Sequence, residues 1–379
     1  METMKTHAAV LYEPGQWWEI TELELDPPKE REVLIRFMAA GLCHSDEHIR
    51  EAGGSHIRFP LVGGHEGAGV VEAVGESVTR VKPGDHVVTS YIPACGRCRY
   101  CSTGHQNLCD AGQYAGVGCM QDETFRYHKD GDDFGGFCAL GTFSQRGVVS
   151  EYSCVRIDED IPFEVAALVG CGVTTGWSSA VHAAEVQAGD TVVIFGIGGV
   201  GISAVQGARF AGATNVIAID PHPFKLQVAS ELGATFTTTD VEEARERITE
   251  LTRGQMADEA IVTVGVLQPE ITEDAVSLVG KAGKVVLISV GEPDVKTISL
   301  TGSPLVGWHK RIQGALAGGA NPIYQMPTLL GLYRSGHLKV DEIITRRYTL
   351  DQVNDGYRDL LDGKNVRGVI MIESSASIP

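Results

Sequence analysis

What the chain lacks narrows the classes of protein that it can encode. Basic residues are scarce, since 31 lysines and arginines face 49 aspartates and glutamates, for a formal net charge of −18 over 379 residues. Such a chain repels phosphate backbones and anionic lipid, so neither nucleic acid nor a membrane surface is expected as a partner. No run of about 20 apolar residues is present, and Met1–Val10 lacks the apolar core of a signal peptide. We therefore expect a soluble, cytoplasmic protein.

Length and composition indicate an ordinary globular protein of more than one domain. At about 100–200 residues per domain, the chain predicts two or three domains. A hydrophobic fraction of 43% with a charged fraction of 21% argues against disorder and against a coiled coil.

The cysteines are unevenly placed and odd in number, which a disulfide framework does not explain. Of the nine, four follow the spacing C-x2-C-x2-C-x7-C and can enclose one tetrahedral Zn²⁺ with every coordination position filled: Cys95, Cys98, Cys101 and Cys109. A closed four-cysteine shell leaves no room for substrate, so this pattern predicts a structural zinc site. Cys119, Cys138 and Cys154 have no such spacing and are interpreted as packed thiols.

The N-terminal part of the chain predicts β-structure. Short alternating runs at 33–37, 70–74 and 86–90 are separated by glycine and proline turns over about the first 155 residues. Segment 112–147 breaks this pattern with glycines, aromatics and charges. We expect it to be a long functional or lid-like loop rather than a further domain.

The second part of the chain predicts an α/β fold. Strand-like runs alternate with helical segments, which indicates a doubly wound parallel sheet. The expected strands are 191–195, 216–219, 260–264 and 285–289, and the expected helices are 224–232, 241–252 and 271–279. The C-terminal segment predicts helices at 328–334 and 351–361 and a strand at 366–372.

A glycine fingerprint follows the first of these strands and opens a helix. Gly196 suits the tight turn, Gly198 lets the backbone approach a pyrophosphate, and Gly201 allows close helix–strand packing. Asp220 closes the next strand about 20 residues on, where an acid would accept hydrogen bonds from ribose hydroxyls and repel a 2′-phosphate. The pattern therefore favours NAD(H) over NADP(H), with a plain βα turn as the alternative.

A dispersed set of metal-ligating residues accompanies these motifs. Cys43, His65 and Cys171 together would supply two thiolates and one imidazole, which leaves a fourth position open as in catalytic zinc sites. Spacing alone does not bring Cys171 to Cys43, and a lone cysteine is more often a core residue.

Several motifs in register resemble one known family. Gly64-His65-Glu66-x2-Gly69-x5-Gly75-x2-Val78 resembles the zinc-containing alcohol dehydrogenase signature of the medium-chain dehydrogenase/reductase family. The segments 41–46 and 170–172, the four-cysteine lobe and the glycine fingerprint stand in that family's order. The resemblance implies a GroES-like catalytic domain at 1–173 with its zinc lobe at 95–109, a Rossmann NAD(H)-binding domain at 174–315, and a return to the catalytic domain at 316–379.

The resemblance also implies roles for catalytic residues and an alcohol or aldehyde as the small-molecule substrate. It implies two Zn²⁺ per chain, the catalytic one held by Cys43, His65 and Cys171. The other catalytic positions are Ser45, which takes the alcohol proton, His48, which passes it to solvent, Asp46, which orients the histidine ligand, and Glu66, which lies behind the metal.

Further positions match family residues that contact NAD(H). By resemblance, Val200 presses on the nicotinamide and Thr175 touches the nicotinamide end. Lys225 contacts the adenosine ribose and Arg367 the pyrophosphate. Tyr91 and Leu140 are placed near the substrate channel of the family, and members are usually homo-oligomers.

Within the family, segment 112–147 and the runs at 92–95 and 362–368 resemble the bacterial nicotinoprotein branch, the N,N-dimethyl-4-nitrosoaniline (NDMA)-dependent alcohol dehydrogenases. In that branch NAD(H) stays bound and is recycled by a second, electron-accepting substrate. The glutathione-dependent formaldehyde dehydrogenases compete, but they carry an Arg where this chain has Gln113. An ordinary dehydrogenase with diffusible NAD remains an alternative, whereas a non-catalytic NAD-binding protein would be expected to lose a ligand or the Ser45 hydroxyl.

Overall fold

Two compact units make up the part of the chain that the structure describes. The structure is a computed structural model that describes residues 2–54, 56–289, 298, 300 and 302–372. One unit comprises Met1–Cys171, Asn321–Gly336 and Val340–Pro379, and the other comprises Gly172–Ala320 and His337–Lys339. The first unit is thus built from both ends of the chain. Stretches 290–297 and 373–379 of the predicted domains lie outside the described residues.

The N-terminal part of the first unit is mostly β-structure. Its strands are β1 (Met4–Leu11), β2 (Glu19–Leu25), β3 (Glu32–Gly41), β4 (Leu61–Val62), β5 (Gly67–Val74), β6 (His86–Thr89), β7 (Tyr127–Lys129), β8 (Asp132–Gly136), β9 (Arg146–Ser150) and β10 (Cys154–Ile157). Its helices are α1 (His44–Ala52), α2 (Arg99–Ser102) and α3 (Phe163–Val169). Strands β1, β2, β7, β8 and β4 close into a barrel, and β3 pairs with both β5 and β9.

The prediction of a loop over 112–147 is wrong in part, because residues 127–136 of the segment form a β-hairpin. β7 and β8 pair antiparallel around Asp130 and Gly131, which both have positive φ, at 54° and 91°. An Asp-Gly pair is a strong hairpin signal. The flanking strands are so short, however, that the alternation of apolar and polar residues does not reveal them in the sequence. The hairpin completes the barrel, and Arg126 just before it forms a buried ion pair with Glu32 of β3.

The second unit alternates helices and strands. Its strands are β11 (Thr191–Phe195), β12 (Asn215–Ile219), β13 (Phe236–Thr238), β14 (Ala257–Val262), β15 (Val279–Leu287) and β16 (Arg311–Gly314). Its helices are α4 (Gly172–Ser178), α5 (Gly199–Ala211), α6 (Pro223–Glu231), α7 (Val241–Leu251), α8 (Pro269–Leu278) and α9 (Gly302–Gly307). Among the described residues these strands form one parallel sheet in the order β13-β12-β11-β14-β15-β16. This is the Rossmann order, and the predicted α/β doubly wound fold is confirmed.

One carboxylate in this sheet is poorly matched to its surroundings. Glu259 of β14 lies opposite Lys284 of β15, yet its Oε2 is buried with no hydrogen-bond partner among the described residues. Burial, reinforced by Asp190 and Asp258, raises the pKa of Glu259 to about 8. The folded chain therefore holds a proton that the unfolded chain releases at lower pH, so stability falls as pH rises from the ordinary carboxyl range toward 8.

We expect Glu259→Gln to stabilise the protein at alkaline pH. The amide keeps the shape of the side chain without the buried charge, so Tm should rise by roughly 3 °C or more at pH 8.5 and show little gain at pH 5. Thermal unfolding across that pH range measures the effect. The control is Glu246→Gln on the exposed face of α7. An equal shift of both variants at both pH values would contradict the assignment.

The C-terminal segment returns to the first unit. It contains α10 (Pro322–Arg334), β17 (Ile344–Thr349), α11 (Val353–Leu361) and β18 (Arg367–Met371). β18 pairs with β3 and β17, so the larger sheet runs β10-β6-β5-β3-β18-β17. Helix α10 begins earlier than the predicted 328, because the chain remains helical through Pro327.

Candidate functional site

A buried cluster of metal-ligating side chains lies in the first unit. Cys43 precedes α1, His65 and Glu66 lie just before β5, and Cys171 follows α3. One ligand atom from each of the four residues lies within 4.8 Å of the others. The structure thus brings together the three predicted ligands of the catalytic zinc, including Cys171, which spacing alone did not connect to Cys43.

A carboxylate on the far side of the His65 ring accounts for the orientation of the ring. His65 Nδ1 lies 3.0 Å from Asp46 Oδ2, and the Gly64 N–H donates to Asp46 Oδ1 at 2.8 Å. Both His65 and Asp46 are almost fully buried. Because Nδ1 faces the carboxylate, Nε2 is the nitrogen left to bind a metal, which is the arrangement that outer carboxylates impose on histidine ligands.

The electrostatics of the cluster suit a divalent cation. A hydrogen bond with the Cys171 thiol lowers the pKa of Cys43, and the same contact raises the pKa of Cys171. Burial lowers the pKa of His65, but Asp46 and Cys43 outweigh it and place that pKa well above the ordinary range. Metal binding requires thiolates and a neutral imidazole, so a cation would displace protons from Cys171 and His65.

Helix α1 presents the two residues predicted to carry a proton away. Ser45 is exposed, and its Oγ lies 3.7 Å from Cys43 Sγ. His48 is half-buried, and its ring centroid lies 6.3 Å from that of His44. Ser45 and His48 are three residues apart on one helix, so their side chains lie on neighbouring positions of the same face.

A buried ion pair lies next to the cluster. The Arg367 guanidinium donates from Nη2 to Glu66 Oε2, and both side chains are at least nine-tenths buried. Burial raises the pKa of Glu66, an effect that the Arg367 charge opposes. Arg367 Nε has no partner among the described residues. The structure therefore places Arg367 against Glu66, and its predicted contact with a pyrophosphate stays a prediction.

We expect Arg367→Met to destabilise the protein strongly, because it removes the guanidinium that offsets the buried charge of Glu66. Breaking a buried pair costs roughly 3–5 kcal/mol in the free energy of unfolding. The double variant Glu66→Gln with Arg367→Met should recover more than half of that loss, since both charges of the pair are removed. Chemical unfolding of the three proteins measures both values. A double variant as unstable as Arg367→Met would contradict the pairing.

Aromatic rings enclose His65. The rings of Phe137 and Tyr91 meet the imidazole edge-to-face, with centroids 5.2 and 5.7 Å away. Leu140, which sequence analysis also placed near a substrate channel by resemblance, is fully buried in the core. Sequence reasoning missed Phe137, because nothing in the pattern of segment 112–147 shows which side chain turns toward the cluster.

The four-cysteine lobe has the geometry of a structural zinc site. Ligand atoms of Cys95, Cys98, Cys101 and Cys109 lie within 4.8 Å of one another. The Sγ–Sγ distances are 4.0 Å for Cys95–Cys101 and 3.9 Å for Cys98–Cys109. A tetrahedron with Zn–S bonds of about 2.3 Å has sulfurs about 3.8 Å apart. Backbone N–H groups of Cys95, Cys98 and Cys101 donate to the sulfurs, which stabilises thiolates.

The fingerprint turn of the second unit leaves the start of α5 open. Gly196 has φ +83°, and a Cβ there would lie 2.9 Å from the backbone of Val264, whereas a Cβ on Gly201 would overlap the Gly196 carbonyl. An added Cβ on Gly198 would meet nothing within 4 Å. Among the residues that the structure describes, no side chain caps α5 at its N-terminus. A helix leaves its first N–H groups without intrahelical partners, and these groups together with the open space suit a pyrophosphate at the helix N-terminus.

Asp220 lies at the end of β12 with its carboxylate fixed. Oδ2 accepts the Ile197 N–H at 2.7 Å, and Oδ1 accepts the His222 N–H at 2.8 Å with His222 Nδ1 at 3.0 Å. The acid is buried and contacts the glycine turn directly. Oδ2 keeps a further lone pair for a ribose hydroxyl.

The remaining cofactor candidates also lie in the second unit. Thr175 of α4 is buried, and its Oγ1 has no partner among the described residues. Val200 lies in the first turn of α5, where its carbonyl packs against Gly176. Lys225 is half-buried in the first turn of α6. These positions fit NAD(H), as the donor set of the cluster fits zinc.

Comparisons with known proteins agree with this geometry. A family model described as Alcohol dehydrogenase GroES-like domain matches residues 29–159, and one described as Zinc-binding dehydrogenase matches residues 199–334. The chain is 55% identical to the NDMA-dependent alcohol dehydrogenase of Amycolatopsis methanolica, over 97% of this chain and 99% of that protein. It is 45% identical to Alcohol dehydrogenase B of Mycobacterium tuberculosis, over 97% and 98% of the two chains.

A solved structure extends the comparison to the fold. The alcohol dehydrogenase zinc-binding domain protein from Burkholderia ambifaria superposes with a TM-score of 0.92 at 30% identity, covering 98% of this chain and 100% of that one. Among the described helices, none combines the length and apolar character that a transmembrane span requires.

A GroES-like unit and a Rossmann unit in one chain define an oxidoreductase of the zinc-binding dehydrogenase class. The chain belongs to the zinc-containing alcohol dehydrogenases of the medium-chain dehydrogenase/reductase family.

Proposed function

We propose that this enzyme interconverts an alcohol and an aldehyde with NAD(H) that stays bound through turnover. A second, electron-accepting substrate would then return the bound coenzyme to its starting state. The observation that carries the alcohol chemistry is the Cys43–His65–Cys171 ligand set. The 55% identity to an NDMA-dependent alcohol dehydrogenase over 97% of this chain supports coenzyme retention.

Two zinc ions per chain are part of the proposal. The Cys43–His65–Cys171 set would hold a catalytic ion, because three protein ligands leave a position for substrate, and the four-cysteine lobe would hold a structural ion. When bound, zinc polarises an alcohol oxygen and NAD supplies the hydride acceptor. Small-molecule substrates and a homo-oligomer are expected by the same resemblance.

The residues of the chain supply orientation and proton transfer. Asp46 holds His65 with Nε2 toward the ligand cluster. Ser45 Oγ would accept the alcohol proton and His48 would pass it to solvent, since both lie on one face of α1. The rings of Phe137 and Tyr91 pack edge-to-face against the imidazole, which is almost fully buried.

The chain's cofactor residues bind and orient rather than react. The uncapped start of α5 would bind the pyrophosphate, and Asp220 would accept ribose hydroxyls. A fixed carboxylate loses little conformational freedom on binding, which favours a low dissociation rate for NAD(H).

Turnover without added coenzyme tests the proposal. The purified protein is given an alcohol with NDMA and no NAD, and bleaching of NDMA is followed. We expect many turnovers per chain under these conditions, and no accumulation of free NADH when alcohol and NAD are supplied without NDMA. Dependence of turnover on added NAD, with free NADH accumulating, would instead establish an ordinary dehydrogenase with diffusible coenzyme.

A formaldehyde dehydrogenase acting on a thiol adduct is the other candidate. The Arg expected four residues after the last lobe cysteine is replaced by Gln113, which removes a charge that an anionic adduct would need. Faster turnover of formaldehyde with glutathione than of simple alcohols would favour this candidate.

A further inference from the structure

We infer that Asn354 and Trp18 are positioning residues for the catalytic metal centre. In this account Asn354 of α11 holds Trp18 in place, and the Trp18 ring supports the glycine turn that carries His65. The inference rests on the proposed role of Cys43, His65 and Cys171 as zinc ligands. It concerns the first unit alone, where all of these residues lie.

The side-chain amide of Asn354 holds the backbone of Trp18 from both sides. The Trp18 N–H donates to Asn354 Oδ1 at 3.1 Å, and Asn354 Nδ2 donates to the Trp18 carbonyl at 2.9 Å. This pair imitates the double hydrogen bond between neighbouring strands. It ties the segment before β2 to a helix 336 residues further along the chain.

The Trp18 ring packs directly under the turn that precedes His65. An added Cβ on Gly63 would lie 2.5 Å from Trp18 Cζ3 and 2.9 Å from Phe143 Cδ2. The Phe143 N–H donates to the Gly63 carbonyl at 2.9 Å, and a Cβ on Gly64 would lie 2.5 Å from Phe143 Cδ1. The two rings therefore fix the backbone at Gly63 and Gly64. The Gly64 N–H in turn donates to the Asp46 carboxylate and orients it.

The same helix also contacts the segment that carries Cys43. Tyr357 stacks on Trp18 with ring centroids 6.1 Å apart and planes at 29°. An added Cβ on the preceding Gly356 would overlap Leu42 Cδ1, and Leu42 immediately precedes Cys43. Helix α11 thus braces the segments of two ligands, one directly and one through Trp18.

The rings of Trp18 and Tyr357 are held by packing, and the Trp18 backbone is also held by its two hydrogen bonds with Asn354, which we call the Asn354 clamp. Trp18 Nε1 and Tyr357 Oη are buried, and neither has a hydrogen-bond partner among the described residues. Loss of the clamp would let the Trp18 segment move and give the Gly63–Gly64 backbone room to shift. His65 and Asp46 would then lose their fixed orientation, and outer partners of a metal ligand typically contribute about 10–100-fold to metal affinity.

Zinc release from the holoenzyme tests the inference. Asn354→Ala and wild-type protein, each with its zinc content determined, are mixed with EDTA, and the zinc lost over time is measured. We expect one zinc to leave Asn354→Ala about 10-fold faster than wild type, while the lobe zinc is retained. Co²⁺-substituted protein identifies the ion, since the two-thiolate, one-imidazole centre and the four-thiolate lobe have different absorption bands.

The matched control is Asn215→Ala. Asn215 also uses its side-chain amide, donating from Nδ2 to Thr191 Oγ1 at 2.9 Å, but lies in the second unit. Its zinc release should match wild type. Asn354→Asp keeps the acceptor for the Trp18 N–H and loses the donor, so it should lie between Asn354→Ala and wild type. If the Asn354→Ala variant does not fold, the same zinc release is measured on the Asn354→Asp and Trp18→Phe variants instead.

The outcomes separate this inference from the proposed function. Wild-type release rates in every folded variant at Asn354 and Trp18, with two zinc ions bound, would overturn the positioning role and leave the zinc centre standing. A wild-type chain that holds zinc in the lobe alone would overturn both. Faster release in Asn215→Ala as well would show general loosening and overturn the positioning role.

Discussion

Replacing Ser45 by Ala should lower kcat by about 10²–10⁴-fold, the usual contribution of a positioned proton-transfer group. The Ser45 hydroxyl is exposed at the start of α1, 3.7 Å from the Cys43 sulfur, so its loss removes the proposed proton acceptor without a change of ligand. Steady-state kinetics with an alcohol measures the loss, and zinc content should stay at the wild-type value.

The Ser45→Thr variant is the matched control for this change. Thr keeps the hydroxyl and should retain most of the activity. A kcat of the Ser45→Ala variant within about twofold of the wild-type value would show that Ser45 is not part of the proton path. Deleting a group that contributes about 10²-fold or more to kcat must lower kcat measurably.

Removing one thiolate of the lobe should lower both the zinc content and the stability of the protein. In the Cys101→Ala variant only three of the four cysteine ligands remain, and three thiolates cannot fill a tetrahedral shell. The zinc content should therefore fall by one ion per chain. Structural zinc contributes folding free energy directly, and we expect Tm to fall by roughly 5 °C or more. Metal analysis and thermal unfolding on the same preparation measure both effects.

The buried thiol of Cys154 provides the control for the lobe. Cys154→Ala removes the same atoms from β10, where burial raises the pKa of the thiol to about 12 and no metal cluster is present nearby among the described residues. It should keep its full zinc content and lose little stability. An equal Tm loss in both variants with unchanged zinc would contradict a structural ion in the lobe.

Sites whose residues lie close in sequence could be predicted, because local chain geometry alone brings them together. The four cysteines of 95–109 and the glycines of 196–201 each lie within one turn-rich segment, and the structure places each set in one cluster or turn. The α/β order of the second unit was also predictable, since buried parallel strands are near-continuous apolar runs.

Contacts between distant segments could not be predicted from the residues alone. Glu66 and Arg367 pair across 301 residues, and Trp18 and Asn354 across 336. Neither pair has a spacing that local structure would reveal, because each depends on the C-terminal return packing against the N-terminal strands. Only the family resemblance connected Cys171 to Cys43. The direction of Phe137 likewise depends on tertiary packing of the 112–147 segment.

The coenzyme content of the protein tests the central claim most directly. The protein is purified without added coenzyme and denatured, and the NAD(H) released per chain is quantified. We expect close to one NAD(H) per chain, because the coenzyme would stay bound at Asp220 and the start of α5 through every turnover. Release of almost none from folded, zinc-loaded protein would contradict a permanently bound coenzyme and establish free exchange of NAD.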